Sequence, residues 1–109
     1  MNVAILLPLK EKYTKVGSGA VSILVHTHLQ KSKYKKTTSV YGSKVNKPLD
    51  LKSFKPLDAN KNFFSNSSYV GSFKKKIFPK TDIIELHNRP KYFFSLKKKF
   101  PDKKFVLFF

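Results

Sequence analysis

Two short clusters hold the residues with most chemistry to offer: Glu11 with Gly17-Ser18-Gly19, and His87-Asn88-Arg89. Glu11 is the only acid before Asp50. Beside a glycine turn at the carboxyl end of a strand, its carboxylate would accept hydrogen bonds from a polyol such as a sugar; in isolation a loop glutamate is merely solvated. Gly17 and Gly19 would let a ligand approach the N–H groups and positive end of the helix that follows, or would simply open that helix tightly against a sheet. His87 can donate, accept or shuttle a proton at neutral pH. Arg89, the only arginine among 23 cations, suits an anion or a buried pair. The competing reading is that Asn88 caps a helix whose first turn holds Pro90, and that His87 only ends a strand.

Other chemistries are excluded by what is missing. A dinucleotide fingerprint needs Gly or Ala where Ser22 stands and an acid at the end of the second strand, and no acid lies between Glu11 and Asp50. No Gly-Lys-Ser/Thr supplies a P-loop. His26 and His28 are two apart and point away from each other on a helix, so they form no metal pair and receive no function. Without cysteine there is no disulfide, thiolate zinc site or cysteine nucleophile. Six acids and three histidines at these spacings assemble no triad, paired carboxylate or metal cluster, so no catalytic set is complete in this chain.

The elements that would position these clusters follow from periodicity. Val3 to Leu7 is a short apolar run closed by Pro8, the pattern of a strand buried on both faces. Leu9 to Lys15 is polar and irregular. After the glycines, Ala20, Ile23, Leu24 and Thr27 share one face of a predicted helix. Lys36 to Gly42 is rich in β-branched and aromatic residues and predicts a second strand. Ser43 to Asn60 carries Pro48 and Pro56 without a clear period and reads as an irregular excursion. Phe63, Tyr69, Val70, Phe73 and Ile77 predict a helix over 62–77, weakened by Gly71. Thr81 to His87 predicts a strand. Tyr92, Phe93, Leu96 and Phe100 form one face of a helix ended by Pro101, and Lys104 to Phe109 predicts a last strand. This order predicts an α/β fold, a Rossmann-like and mostly parallel sheet with flanking helices.

Length and composition bound the rest. At 109 residues and 40% apolar content, with 11 Phe and 5 Tyr, the chain can build one core and is too apolar for a disordered basic tail. It is too short for a two-domain enzyme with a cleft between domains. The formal charge of +17 comes almost wholly from lysine, scattered along the chain instead of gathered in one arm. Lysine lacks the bidentate fork that phosphate and nucleic-acid readers favour. The bland reading is a solvated surface. No positive region precedes the N-terminal apolar run, and no stretch reaches bilayer-spanning length, so the expectation is a cytoplasmic chain with a basic face available to the inner surface of an anionic membrane.

Several segments resemble a known family. They are Leu7-Pro8-Leu9-Lys10-Glu11-Lys12-Tyr13, Gly17-Ser18-Gly19-Ala20-Val21-Ser22, Thr81-Asp82-Ile83-Ile84-Glu85-Leu86-His87-Asn88-Arg89-Pro90 and Phe100-Pro101-Asp102-Lys103-Lys104-Phe105-Val106-Leu107-Phe108. Together they resemble the N-terminal domain of GT-B glycosyltransferases, more narrowly the retaining family 4, group 1 enzymes that build bacterial surface glycans. The resemblance covers essentially the whole chain but only the first part of such an enzyme. It implies an N-terminal Rossmann-like domain that binds mainly the acceptor, while a C-terminal domain holds the nucleotide-sugar, which is a substrate, so no cofactor is expected. By resemblance, Gly17, Ser18 and Gly19 face the cleft near the donor phosphate, Glu11 lies on the acceptor-side loop, and His87, Asn88 and Arg89 line the acceptor side.

The expectation is therefore one partial Rossmann-like domain over 1–109, inactive by itself and prone to associate through its last strand, with the donor domain following it or encoded separately. The alternative is a small basic protein that binds nucleic acid or an anionic membrane surface. Paired aromatics such as Phe63-Phe64 and Phe93-Phe94 suit a core better than a stacking platform and disfavour nucleic acid.

Overall fold

The computed structural model describes residues 1–17, 19–58 and 66–108. Five strands, β1 (Val3–Leu6), β2 (Thr38–Ser43), β3 (Phe54–Leu57), β4 (Ile83–His87) and β5 (Lys104–Phe108), form one sheet of order β3-β2-β1-β4-β5. Every neighbouring pair is parallel, with Leu6 opposite both Tyr41 and Leu86, and His87 opposite Phe108. The helices are α1 (Ala20–Lys31), α2 (Asn66–Lys76) and α3 (Pro90–Lys99). The fold is the expected Rossmann-like α/β arrangement.

Strand alternation assigns the helices to faces. Ala4, Leu6, Tyr41, Ile84 and Leu86 point to the side where α2 and α3 contribute Tyr69, Phe73, Tyr92 and Leu96. Ile5, Leu7, Val40 and Phe54 point to the other side and meet Val25 and Leu29 of α1. The split follows from crossover handedness: the step from β1 to β2 runs one way along the sheet, whereas the steps β3 to β4 and β4 to β5 run the other way, and a right-handed connection then lands on the opposite face. Edge-to-face ring pairs fasten both ends of the larger core, Tyr41 on Phe73 at 5.0 Å and Phe93 on Phe105 at 5.3 Å.

Three details depart from the sequence reading. The excursion over 43–60 contains a strand, β3, whose Phe54 and Leu57 are buried while Lys55 and Pro56 are exposed. Proline removes a ladder donor, and β3 tolerates it because it is the edge strand. The buried stripe of α1 is Ser22, Val25 and Leu29, and Ile23 and Leu24 are about half exposed. Asn88 is not the cap of α3. It adopts a left-handed φ of 55°, Arg89 takes the cap position, and Pro90 opens the helix. The last strand lies where the sequence predicts it and is covered on one side only: Phe105 and Leu107 pack toward α3, whereas Val106 and Phe108 remain open on the α1 side. The start of the 62–77 helix, and Phe109 at the end of the last strand, lie outside the described residues.

Candidate functional site at the carboxyl edge of the sheet

In a parallel sheet the ligand edge is the one where strands end and helices begin. β1 and β4 are neighbours in register, so the segment after Leu6 and the turn after His87 leave the sheet side by side. Both sequence clusters therefore sit at this edge.

The segment from Leu7 to Lys15 is pinned at nearly every second residue. The Tyr69 hydroxyl donates to the Leu7 carbonyl at 2.5 Å, the Leu9 N–H donates to the Tyr92 hydroxyl at 3.3 Å, and the Ser43 hydroxyl donates to the Leu9 carbonyl. Tyr13 stacks on Phe54 with ring centres 5.5 Å apart and hydrogen-bonds His26 Nδ1 at 3.2 Å, which gives His26 a structural partner. Beyond it, the Thr14 hydroxyl and the Lys15 N–H both donate to the Lys47 carbonyl. Burial pushes the Tyr13 hydroxyl up to about 12, with the Asp50 charge adding to the shift. Burial also raises Tyr69, Tyr92 and Tyr41. These hydroxyls are held neutral as hydrogen-bonding struts.

Glu11 lies within this braced segment, and its carboxylate reaches the N-terminus of α1. Oε2 accepts from the Ser22 hydroxyl at 2.7 Å and from the Ser22 N–H at 3.1 Å. Gly19 caps the helix without a side-chain hydrogen bond, and Ser22 is its third helical residue. Glu11 therefore supplies from a distance the capping oxygen that glycine lacks, and its charge complements the positive end of the helix. Gly19 is required for this approach, since a Cβ there would lie 2.7 Å from the Glu11 carboxyl carbon. Gly17 is required for a different reason, its left-handed φ of 73°, and the space around it is open. Ser18 lies outside the described residues. Among the hydrogen bonds of the described residues, the second oxygen of Glu11 takes part in none.

His87, Asn88 and Arg89 do not converge. The His87 ring, 6% exposed, lies on the α1 side of the sheet, stacked on Phe108 at 4.8 Å with Nε2 3.4 Å from Glu85 Oε2. Glu85, His87, Leu24, His28, Val106 and Phe108 border an open groove of about 340 Å³ there. Arg89 turns to the other side. Its Nη1 donates to the Asn88 carbonyl at 2.8 Å and its side chain hydrogen-bonds the Tyr92 hydroxyl, at the rim of a groove between α2 and α3. The left-handed Asn88 between them makes this divergence possible. No hydrogen bond among the described residues joins Glu11 to either.

Sequence reasoning missed the partners. Ser22, fully buried against Glu11, counted only as a mismatch to a nucleotide fingerprint. Tyr69 and Tyr92 read as core; the available signal was tyrosine where phenylalanine is twice as common, a hydroxyl kept for a purpose. Among the described residues no group of three or more His, Asp or Glu could hold a metal ion, and no helix is long and apolar enough to cross a membrane. No family model matches the chain, and comparison with curated proteins and with solved structures returns no match.

Proposed function

We propose that the chain is the acceptor-side Rossmann-like domain of a retaining GT-B glycosyltransferase of the family 4 type, which moves a sugar from a nucleotide-sugar to a surface-glycan or lipid-linked acceptor. The observation that carries the reading is the placement of an acid-bearing loop, a glycine turn and a His-Asn-Arg-Pro turn on neighbouring strands at the carboxyl edge of an all-parallel sheet. Three of the segments that resemble the family, Leu7 to Tyr13, Gly17 to Ser22 and the end of Thr81 to Pro90, lead to that edge.

In this role the chain orients an acceptor and leaves donor activation to a donor domain. Glu11 spends one carboxylate oxygen on α1 and keeps the other for a sugar hydroxyl. The Tyr69 and Tyr92 struts hold the loop so that little ordering is left to pay for on binding. Arg89 offers a cation on the α3 side. Because this reading leaves the donor to a separate domain, the isolated chain binds acceptor glycan without sustained turnover of nucleotide-sugar.

The test is a titration of the ¹⁵N-labelled chain with neutral oligosaccharides. Saturable amide shifts at Glu11, Gly17 and Gly19, and at His87, Asn88, Arg89 and Lys91, support the proposal. Shifts confined to the amino edge around Asn2 and Thr37, or none at millimolar sugar, contradict it.

A further inference from the structure

We propose that the groove between α2 and α3 binds a phosphate-bearing group through Lys74, Arg89 and Lys91. This goes beyond the glycosyl-transfer reading and does not depend on it: a failed oligosaccharide titration leaves it standing.

The groove encloses about 580 Å³, with Ser67, Lys74, Arg89, Lys91 and Ser95 around it and the buried Val70 and Tyr92 beneath. No acid lines it. Three cations thus converge on one concave surface that carries no counter-charge of its own. The Lys76–Asp58 ion pair and the His87–Glu85 contact lie elsewhere. Lys74 is the telling case. It is only partly exposed, and its ammonium reaches across the groove to a neutral partner, the Ser95 hydroxyl at 2.6 Å. A lysine drawn out of bulk water without a carboxylate is stabilised by an anion at that place.

Arg89 is prepared for the same task. The left-handed turn at Asn88 and the contacts to the Asn88 carbonyl and Tyr92 hydroxyl fix its guanidinium at the rim while engaging two of its five donors. A fork held this way favours the tetrahedral oxygens of phosphate over a simple point contact. The α3 start at Pro90 adds the positive end of a ten-residue helix with no acid in its first turn. At α1 the equivalent position is already taken by Glu11, so an anion arriving at this edge is repelled from the glycine turn and drawn to the α2–α3 side. Next to the groove, Phe94 is 68% exposed and Lys98 and Lys99 continue the positive surface. A phosphate with an apolar substituent fits as well as a free one, so lipid headgroup and soluble phosphate share the chemistry.

The experiment compares the full chain with two charge-matched triple variants, K74Q/R89Q/K91Q and K36Q/K55Q/K75Q, the second set lining a separate cationic groove at the amino edge. Circular dichroism establishes that both remain folded. Inorganic pyrophosphate is titrated at constant ionic strength with amide-shift detection, and vesicles of phosphatidylcholine with and without phosphatidylglycerol are tested by sedimentation. The expected result is saturable shifts at Lys74, Arg89, Lys91, Tyr92 and Ser95, weakened at least about tenfold in the first triple variant and little changed in the second, as loss of charge-assisted hydrogen bonds requires. Arg89→Lys, which keeps charge but loses the fork, falls between. Pyrophosphate binding assigns a soluble phosphate, whereas the same variant pattern seen only with phosphatidylglycerol vesicles assigns a lipid headgroup. Equal weakening by both triple variants, shifts centred on Ala20 to Ser22, or no binding in either arm overturns the proposal.

Discussion

The Glu11 carboxylate is the residue on which the carboxyl edge turns. It does at α1 what a serine or aspartate cap does elsewhere, and Ser22 receives it with both hydroxyl and N–H. Glu11→Ala removes a charge-assisted cap and leaves a fully buried hydroxyl without its acceptor, a loss of about 1–2 kcal/mol in urea denaturation. Ser22→Ala costs less, and the two changes are strongly non-additive in a double-mutant cycle; additivity would mean the pair is not coupled. Gly19→Ala forces the carboxylate away and lowers stability as Glu11→Ala does. Glu11 was legible in the sequence as an unusual acid, but its partner was not. A pairing between a loop and the third residue of a helix depends on the path of the loop, and that path is set by tyrosine struts that look like ordinary core residues. Tyr69→Phe tests the struts: it strands the buried Leu7 carbonyl and costs about 1–2 kcal/mol.

At the scale of elements, strands β1, β2, β4 and β5 and helix α3 were legible because each carries a strong local signal: continuous apolar runs, β-branched clusters, or Tyr92, Phe93 and Leu96 at helical spacing. Strand β3 was hidden. It buries only Phe54 and Leu57, at its two ends, and carries a proline, so neither alternation nor propensity marks it. The α1 stripe was misjudged because Val21, Ile23, Leu24 and Val25 are apolar around much of the helix, and the contact with Glu11 decides the rotation by turning a serine inward. Gly71 in α2 is a counter-example to Gly19. Nothing lies within 4 Å of where its Cβ would be, so Gly71→Ala gains helix propensity at no steric cost and stabilises the chain by roughly 0.5–1 kcal/mol. A fall in the denaturation midpoint for that variant would mean the α2 surface is not open there.

At the scale of the molecule, four tyrosines with raised pKa values make the fold sensitive to alkali. Their ordinary value is near 10, and the folded chain holds them above it. Their stabilising contribution is therefore complete below pH 10 and is lost as pH rises from there toward the folded-state values, about 12 for Tyr13. Absorbance of tyrosinate from these four should rise together with loss of helical circular dichroism above pH 10; full ionisation while the helices persist would contradict the buried struts. The +17 charge acquires a pattern only in three dimensions. Lys74 and Lys91, distant in sequence, meet Arg89 at the α2–α3 groove, whereas the glycine turn is guarded by a carboxylate. The edge that meets the proposed acceptor thus has a carboxylate-bearing, hydroxyl-accepting side and a cationic side, and the account stands on glycan recognition by the first. Equilibrium binding of a neutral oligosaccharide and of duplex DNA, each measured at several salt concentrations, tests that claim most directly. The account predicts saturable sugar binding that barely changes with salt, and only weak DNA association that disappears as salt rises. Tight DNA binding with a steep salt slope, and no sugar binding at any concentration tried, would contradict it.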